Sequence, residues 1–209
     1  ATLERLAAVA DYTDHRELAE QRFEQVIEGW IALDGRKSLG AAIARRNYAS
    51  SLRMRGKNDE ALDLLDQAEK VFKKRVADDD PEYLALRKSR ALASVFAGDG
   101  LKSARTAELA IKRTKLPHDH PFVAAAYLTL ARALAHLGEL GTACNRVRDV
   151  IASFQRGYGD HPLTAIAYSV LAAIWVAAGD LEKGADAAQH WYSMYRAFYP
   201  LGTFSWGMS

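Results

Sequence analysis

Prolines and glycines recur along this chain with a common period of about 41 residues. Four of the five prolines are spaced 38 to 41 residues apart, and four of the fourteen glycines are spaced 40 to 42 residues apart. Proline fits the first turn of a helix, where its missing N–H has no partner, and glycine readily adopts the left-handed conformation that follows a last turn. The period therefore predicts a repeated helical hairpin. The residues that carry it are Pro81, Pro121, Pro162 and Pro200, and Gly56, Gly98, Gly138 and Gly179.

Apolar residues at helical spacing fill the segments between these prolines and glycines. First helices are predicted near residues 39–55, 82–97, 122–137 and 163–178. Second helices are predicted near 59–76, 101–115, 140–156 and 181–198, and a looser pair near 3–10 and 17–33. The 38 alanines among 209 residues favour helix as well. We therefore predict an all-α solenoid of about five antiparallel helix pairs, which form one domain over residues 1–199. An aromatic tail follows over 200–209. The approximate bounds of the pairs are 1–34, 38–80, 81–119, 120–160 and 161–199.

Composition argues against several classes of protein. A formal charge of +2, from 28 basic and 26 acidic residues, gives no overall attraction to nucleic acid or to an anionic membrane. One cysteine, Cys144, excludes an internal disulfide and a cysteine-based zinc cluster. We expect a cytoplasmic chain that needs no metal or cofactor, with Cys144 buried and with His120 and His161 as turn residues before proline.

The helix pairs predicted at 120–160 and 161–199 carry a family resemblance. They read HPFVAAAYLTLARALAHLGELGTACNRVRDVIASF and HPLTAIAYSVLAAIWVAAGDLEKGADAAQHWYSMY. Both resemble tetratricopeptide repeats, in the longer variety typified by kinesin light chain. The linkers GDHP (159–162), HDHP (118–121) and DDDP (78–81) fit that variety in decreasing order. The resemblance covers residues 38–199 and, more loosely, 1–34.

This resemblance implies a right-handed superhelix whose concave wall is lined by first helices. The family's usual activity is to hold a peptide or a partner surface in that groove. We therefore expect a non-enzymatic interaction module or scaffold that is one domain of a larger regulatory protein. The alternative is a bacterial peptide-sensing regulator whose output domain lies outside these residues.

The repeat also explains where the small residues stand. Ala49, Ala131 and Ala172 on first helices, and Ala61 and Ala143 on second helices, allow paired helices to approach closely. The helix pair predicted at 81–119 fits this pattern only with a one-residue shift that places Ala104 in the small position, so its helix register is open.

One segment concentrates positive charge. Residues 35–57 contain seven basic side chains and no acidic one. Arg46, Ser50, Arg53 and Lys57 stand at i, i+4, i+7 and i+11, which predicts one stripe on a first helix. The stripe is a candidate anchor for acidic groups of a partner. The alternative is a solvated face neutralised by Asp59, Glu60 or the acidic run 78–80.

Further polar groove positions follow from the family resemblance. Arg46 and Asn47 resemble part of a set that captures a terminal carboxylate in some members. The positions expected to correspond in later units are Ser89, Leu128 and Ser169, so the full set is not predicted. Arg132 and His136, one helical turn apart, either extend the polar floor of the groove or form a simple exposed pair.

The end of the chain is rich in aromatic residues. One interpretation is that residues 200–209 cover the end of the stack, and the other is a contact surface for a second copy or another domain. The candidate residues of that surface are Trp191, Tyr195, Tyr199, Phe204 and Trp206.

Overall fold

The computed structural model describes residues 16–198, and all regular structure in that range is α-helix. Each helix begins and ends within two residues of its predicted bounds, while the helix predicted at 3–10 lies outside the described residues. In chain order the helices are α1 (Arg16–Asp34), α2 (Leu39–Met54), α3 (Asn58–Arg75), α4 (Pro81–Phe96), α5 (Gly100–Arg113), α6 (Pro121–His136), α7 (Leu140–Tyr158), α8 (Pro162–Ala177) and α9 (Leu181–Phe198).

Helix ends are set by the residues that carry the period. The helices α4, α6 and α8 each start with proline, and the side chain just before it accepts a backbone N–H of the first turn. Those capping residues are Asp80, His120 and His161. At the other end of α2, Gly56 adopts φ 77° and the N–H of Lys57 donates to the carbonyl of Leu52 at 3.0 Å. This is the Schellman geometry that glycine permits without steric cost.

The chain divides into two compact units, which meet at Lys115 and Leu116. In the first unit, α1 to α5 pack each against the next, and α2 also packs against α4. Aromatic rings join the helices of this core, with Phe23 stacked on Tyr48 at 5.1 Å and Phe72 on Tyr83 at 5.6 Å. First helices of neighbouring hairpins therefore share one face of this unit.

In the second unit, α6 to α9 pack in the same order, and α6 also packs against α8. Its core is aliphatic with one ring, built around Val147, Phe154, Val170 and Ile174. Cys144 is buried in this core, and burial raises the pKa of its thiol. The thiol is therefore protonated at neutral pH, as suits a small packing residue.

The second hairpin keeps the same register as the others. The small position on α5 is Ser103, which is fully buried and donates its hydroxyl to the carbonyl of Ala91 on α4 at 2.7 Å. The predicted one-residue shift toward Ala104 is therefore wrong. Serine takes this position because its short side chain permits a close approach of the helices and its hydroxyl finds a backbone acceptor.

Candidate protein-interaction surface

A basic patch lies where α2 and α4 share a face of the first unit. We define the basic patch as Arg46, Arg53 and Lys88. Lys88 is the structural equivalent of Arg46, because the capping residues Ser38 and Asp80 are 42 residues apart and so are these two side chains. The patch therefore brings together cations from two adjacent repeats.

Arg46 is already engaged by groups of the chain itself. Its Nη1 lies 2.5 Å from Oε2 of Glu82 in the first turn of α4, and its Nη2 donates to Oδ1 of Asn47 at 3.2 Å. Glu82 is half exposed, so a partner carboxylate can compete with it for the guanidinium. The ion pair ties α2 to α4 and fixes the direction of Arg46.

Arg53 and Lys88 are partly buried cations of the basic patch. The guanidinium of Arg53 lies 5.6 Å from the centre of the Phe96 ring, and burial lowers its pKa. Burial is also the largest cause that lowers the pKa of Lys88, followed by the positive charges of Arg46 and Arg53. Neighbouring cations that have lost part of their hydration create a positive local potential. Binding of an anion lowers the electrostatic repulsion between them.

The predicted stripe is shorter than its sequence spacing suggests. Because α2 ends at Met54 and Gly56 reverses the chain, Lys57 does not continue the stripe. Its ammonium instead lies 3.3 Å from Glu20 and 3.6 Å from Glu60. Including Lys57 in the stripe was therefore wrong. Ser50 remains on α2, with its hydroxyl donating to the carbonyl of Arg46 at 3.2 Å.

Lys88 was missed because the register of the second repeat was uncertain from sequence. By the spacing of the capping residues, the expected position Ser89 is the equivalent of Asn47, and Lys88 is the equivalent of Arg46. The spacing of the helix-capping residues, Ser38 and Asp80, is the pattern that places Lys88 opposite Arg46. A cap marks a helix start more sharply than the small packing residues do.

The other predicted groove residues belong to the second unit. Arg132 is half-buried on α6, and His136 is exposed at the last residue of that helix. By helix position they are the equivalents of Ser50 and Met54 on α2. They therefore lie on the corresponding face of a first helix in the second unit.

The described part of the aromatic end lies on α9. Trp191 and Tyr195 are half-buried, with ring centres 5.9 Å apart, and Tyr192 beside them is 46% exposed. The predicted positions Tyr199, Phe204 and Trp206 lie outside the described residues. Whether this surface contacts a second copy stays a prediction.

Residues 1–74 match a family model described as tetratricopeptide repeat. Among solved structures, a Podosopora anserina protein described as a kinesin light chain with nearly identical TPR-like repeats superimposes with a TM-score of 0.72, at 19% identity over 95% of this chain and 96% of that one. A singly substituted form of that protein gives 0.74, at 20% identity over 94% of both chains. This chain has the tetratricopeptide repeat fold.

A third solved structure superimposes equally well. BtubC (BKLC) from P. vanneervenii superimposes with a TM-score of 0.73, at 15% identity over 94% of this chain and 79% of that one. Comparison with curated proteins finds no sequence match. The expected resemblance to tetratricopeptide repeats of the kinesin-light-chain kind is thus confirmed, and with it the all-α helical repeat. None of the helices within residues 16–198 is long and apolar enough to cross a membrane.

Proposed function

We propose that this tetratricopeptide repeat chain is an interaction module whose basic patch binds an acidic segment of a partner protein. Helical repeats present broad faces of stacked helices on which a partner segment can lie without any chemical step. The observation that carries the proposal is the patch itself, in which Arg53 and Lys88 from adjacent first helices are half-buried beside Arg46.

The charges of the patch favour a carboxylate ligand. Within residues 16–198, Arg53 has no carboxylate at ion-pair distance. Arginine can hold a carboxylate through two parallel hydrogen bonds, which adds direction to the attraction. On α2, Asn47 follows Arg46, and Ser50 lies one helical turn from both Arg46 and Arg53. Both side chains offer further hydrogen-bonding groups. We therefore assign partner binding in the first unit to Arg46, Asn47, Ser50, Arg53 and Lys88.

We also propose that Arg132 and His136 act as polar contacts on the corresponding face of the second unit. Their place on α6 supports this role, because first helices carry the patch in the first unit. An acidic partner is the chemistry that both sets of residues favour, and no catalytic step is assigned to the chain.

A peptide-display selection tests the proposed binding. Ligands selected on the wild-type protein should be enriched in Asp and Glu, and Arg53→Glu with Lys88→Glu should weaken their binding at least tenfold. The matched control is Arg105→Glu with Lys112→Glu, which makes the same charge change on exposed positions of α5. Equal loss in both variants, or a selection without acidic enrichment, would contradict the proposal. Circular dichroism checks that each variant remains helical.

A further inference from the structure

A second concentration of positive charge surrounds a cavity between α2 and α3 in the first unit. The cavity has a volume of about 270 Å³, and its apolar floor includes the buried Val71. No acidic residue lines it. We call this cavity, together with the six cations that line it, the phosphate cavity. The cations are Arg36, Lys37, Arg45, Lys70, Lys74 and Arg75.

In the next hairpin the equivalent position is neutralised by an acidic residue. Counting from the capping residues Ser38 and Asp80, Arg45 is equivalent to Arg87. The guanidinium of Arg87 lies 2.9 Å from a carboxylate oxygen of Asp78 in the loop before α4. The residue equivalent to Asp78 in the loop before α2 is Arg36, so Arg45 has a cation where its counterpart has a carboxylate.

The charge of the adjacent loop residue is reversed in the same way. Asp79 lies 2.5 Å from Lys115, whereas its equivalent in the earlier loop is Lys37. Two acidic loop residues of one hairpin are thus replaced by two basic residues in the other. The charge of the cavity is therefore a property of this hairpin and not of the repeat.

Two acidic side chains of α3 are engaged by another helix. Asp66 and Glu69 both pair with Arg90 on α4. In the described range 16–198, the six cations have no ion-pair partner. Burial lowers the pKa of Arg45, as expected for a partly desolvated guanidinium without a carboxylate beside it.

We propose that the phosphate cavity binds a compact, multiply charged phosphate group of the pyrophosphate class. Six cations around one small cavity favour a ligand with several negative charges in a small volume. Phosphate oxygens accept the paired N–H groups of arginine, and lysine ammonium groups add point charges. The volume lies just below the usual range for small-molecule sites and suits a diphosphate better than a folded segment.

Calorimetric titration with sodium pyrophosphate in 150 mM NaCl tests this site. The wild-type protein should bind one equivalent, and Arg36→Asp with Lys37→Asp should weaken binding at least tenfold. This variant copies the acidic loop of the next hairpin, so it should also unfold at a higher temperature than the wild type. Loss of binding therefore cannot be attributed to unfolding.

Two further measurements test whether binding is specific to this cavity and whether the ligand is a soluble diphosphate or a lipid headgroup. Arg105→Asp with Lys112→Asp makes the same change of net charge on α5, and it should bind pyrophosphate as the wild type does. An equal loss in that control, or no saturable binding by the wild type, would overturn the proposal. Vesicles containing a phosphoinositide distinguish a lipid headgroup from a soluble diphosphate. Binding to vesicles without any response to pyrophosphate would also overturn it.

Discussion

Arg87 and Asp78 form the ion pair that closes the start of the second hairpin. Nη2 of Arg87 lies 2.9 Å from Oδ1 of Asp78, and Nη1 donates to the backbone carbonyl of Asp78 at 2.7 Å. The same guanidinium lies 3.9 Å from the centre of the Tyr83 ring. The Arg87 side chain is only 6% exposed, so its charge depends on these neighbours rather than on water.

Removing this carboxylate should destabilise the first unit. Asp78→Ala leaves a buried guanidinium without its counter-ion, and we expect a loss of about 1–3 kcal/mol in the free energy of unfolding. Urea unfolding at pH 7 measures it. Asp79→Ala is the control, because Asp79 pairs with the exposed Lys115 and such pairs contribute little. Similar losses in both variants would show that the Arg87–Asp78 pair contributes no more to the free energy of unfolding than an exposed ion pair does.

A close contact between Trp30 and Gly40 leads to a second prediction. A Cβ atom added to Gly40 would clash with the Trp30 ring, although glycine inside a helix costs about 0.5–1 kcal/mol relative to alanine. Gly40→Ala should therefore destabilise the wild type, because the indole must move. In a Trp30→Ala background the same change should be neutral or stabilising.

A double-mutant cycle by urea unfolding measures this coupling. We expect a coupling energy of about 1 kcal/mol or more between the two positions. Additive effects of the two substitutions would contradict the packing of α1 on the first turn of α2.

Helix positions were predictable from sequence because their determinants are local. Proline at a first turn and glycine after a last turn act within a few residues, and the helices begin and end where these residues place them. The packing register of α5 was not predicted, because Ser103 and Ala104 are both small and the hydrogen bond from Ser103 to Ala91 is seen only in the structure. That residues 1–199 form one domain stays a prediction.

Charge partners were the least predictable part of the candidate surface. Arg46 pairs with Glu82 and Lys57 with Glu20, over separations of 36 and 37 residues. Of the two neighbouring acids that sequence proximity suggested, Glu60 lies 3.6 Å from Lys57, whereas Asp59 has no ion pair within the described residues. Such pairs depend on how one hairpin stacks on the next, which composition and periodicity do not determine.

The cap at the start of α6 gives a prediction for the second unit. The N–H of Phe122 donates to Nδ1 of His120 at 3.1 Å. His120→Ala should lower the free energy of unfolding by about 1 kcal/mol, whereas His120→Asp should retain the cap, as Asp80 does at α4. Thermal unfolding followed by circular dichroism compares the two. An equal loss in both variants would show that the imidazole contributes something other than a cap.

Tyr48 should make the first unit sensitive to strongly alkaline pH. Burial, followed by the negative charges of Glu20, Glu24 and Glu60, raises the pKa of Tyr48 to about 12, from a usual value of 10. Because the folded protein favours the neutral phenol, the contribution to stability is complete below pH 10 and is lost as the pH rises to 12. Over that interval the wild type should lose on the order of 2 kcal/mol that Tyr48→Phe does not lose.

Urea unfolding of both proteins at pH 8 and near pH 11.5 measures this difference. Phenylalanine keeps the ring that stacks on Phe23 at 5.1 Å, so at pH 8 the two proteins should be nearly equal in stability. Absorbance at 295 nm follows ionisation directly, and the wild-type signal minus the variant signal should rise only above about pH 11. A difference that rises near pH 10 would place the Tyr48 hydroxyl in water and not in the core between α1 and α2.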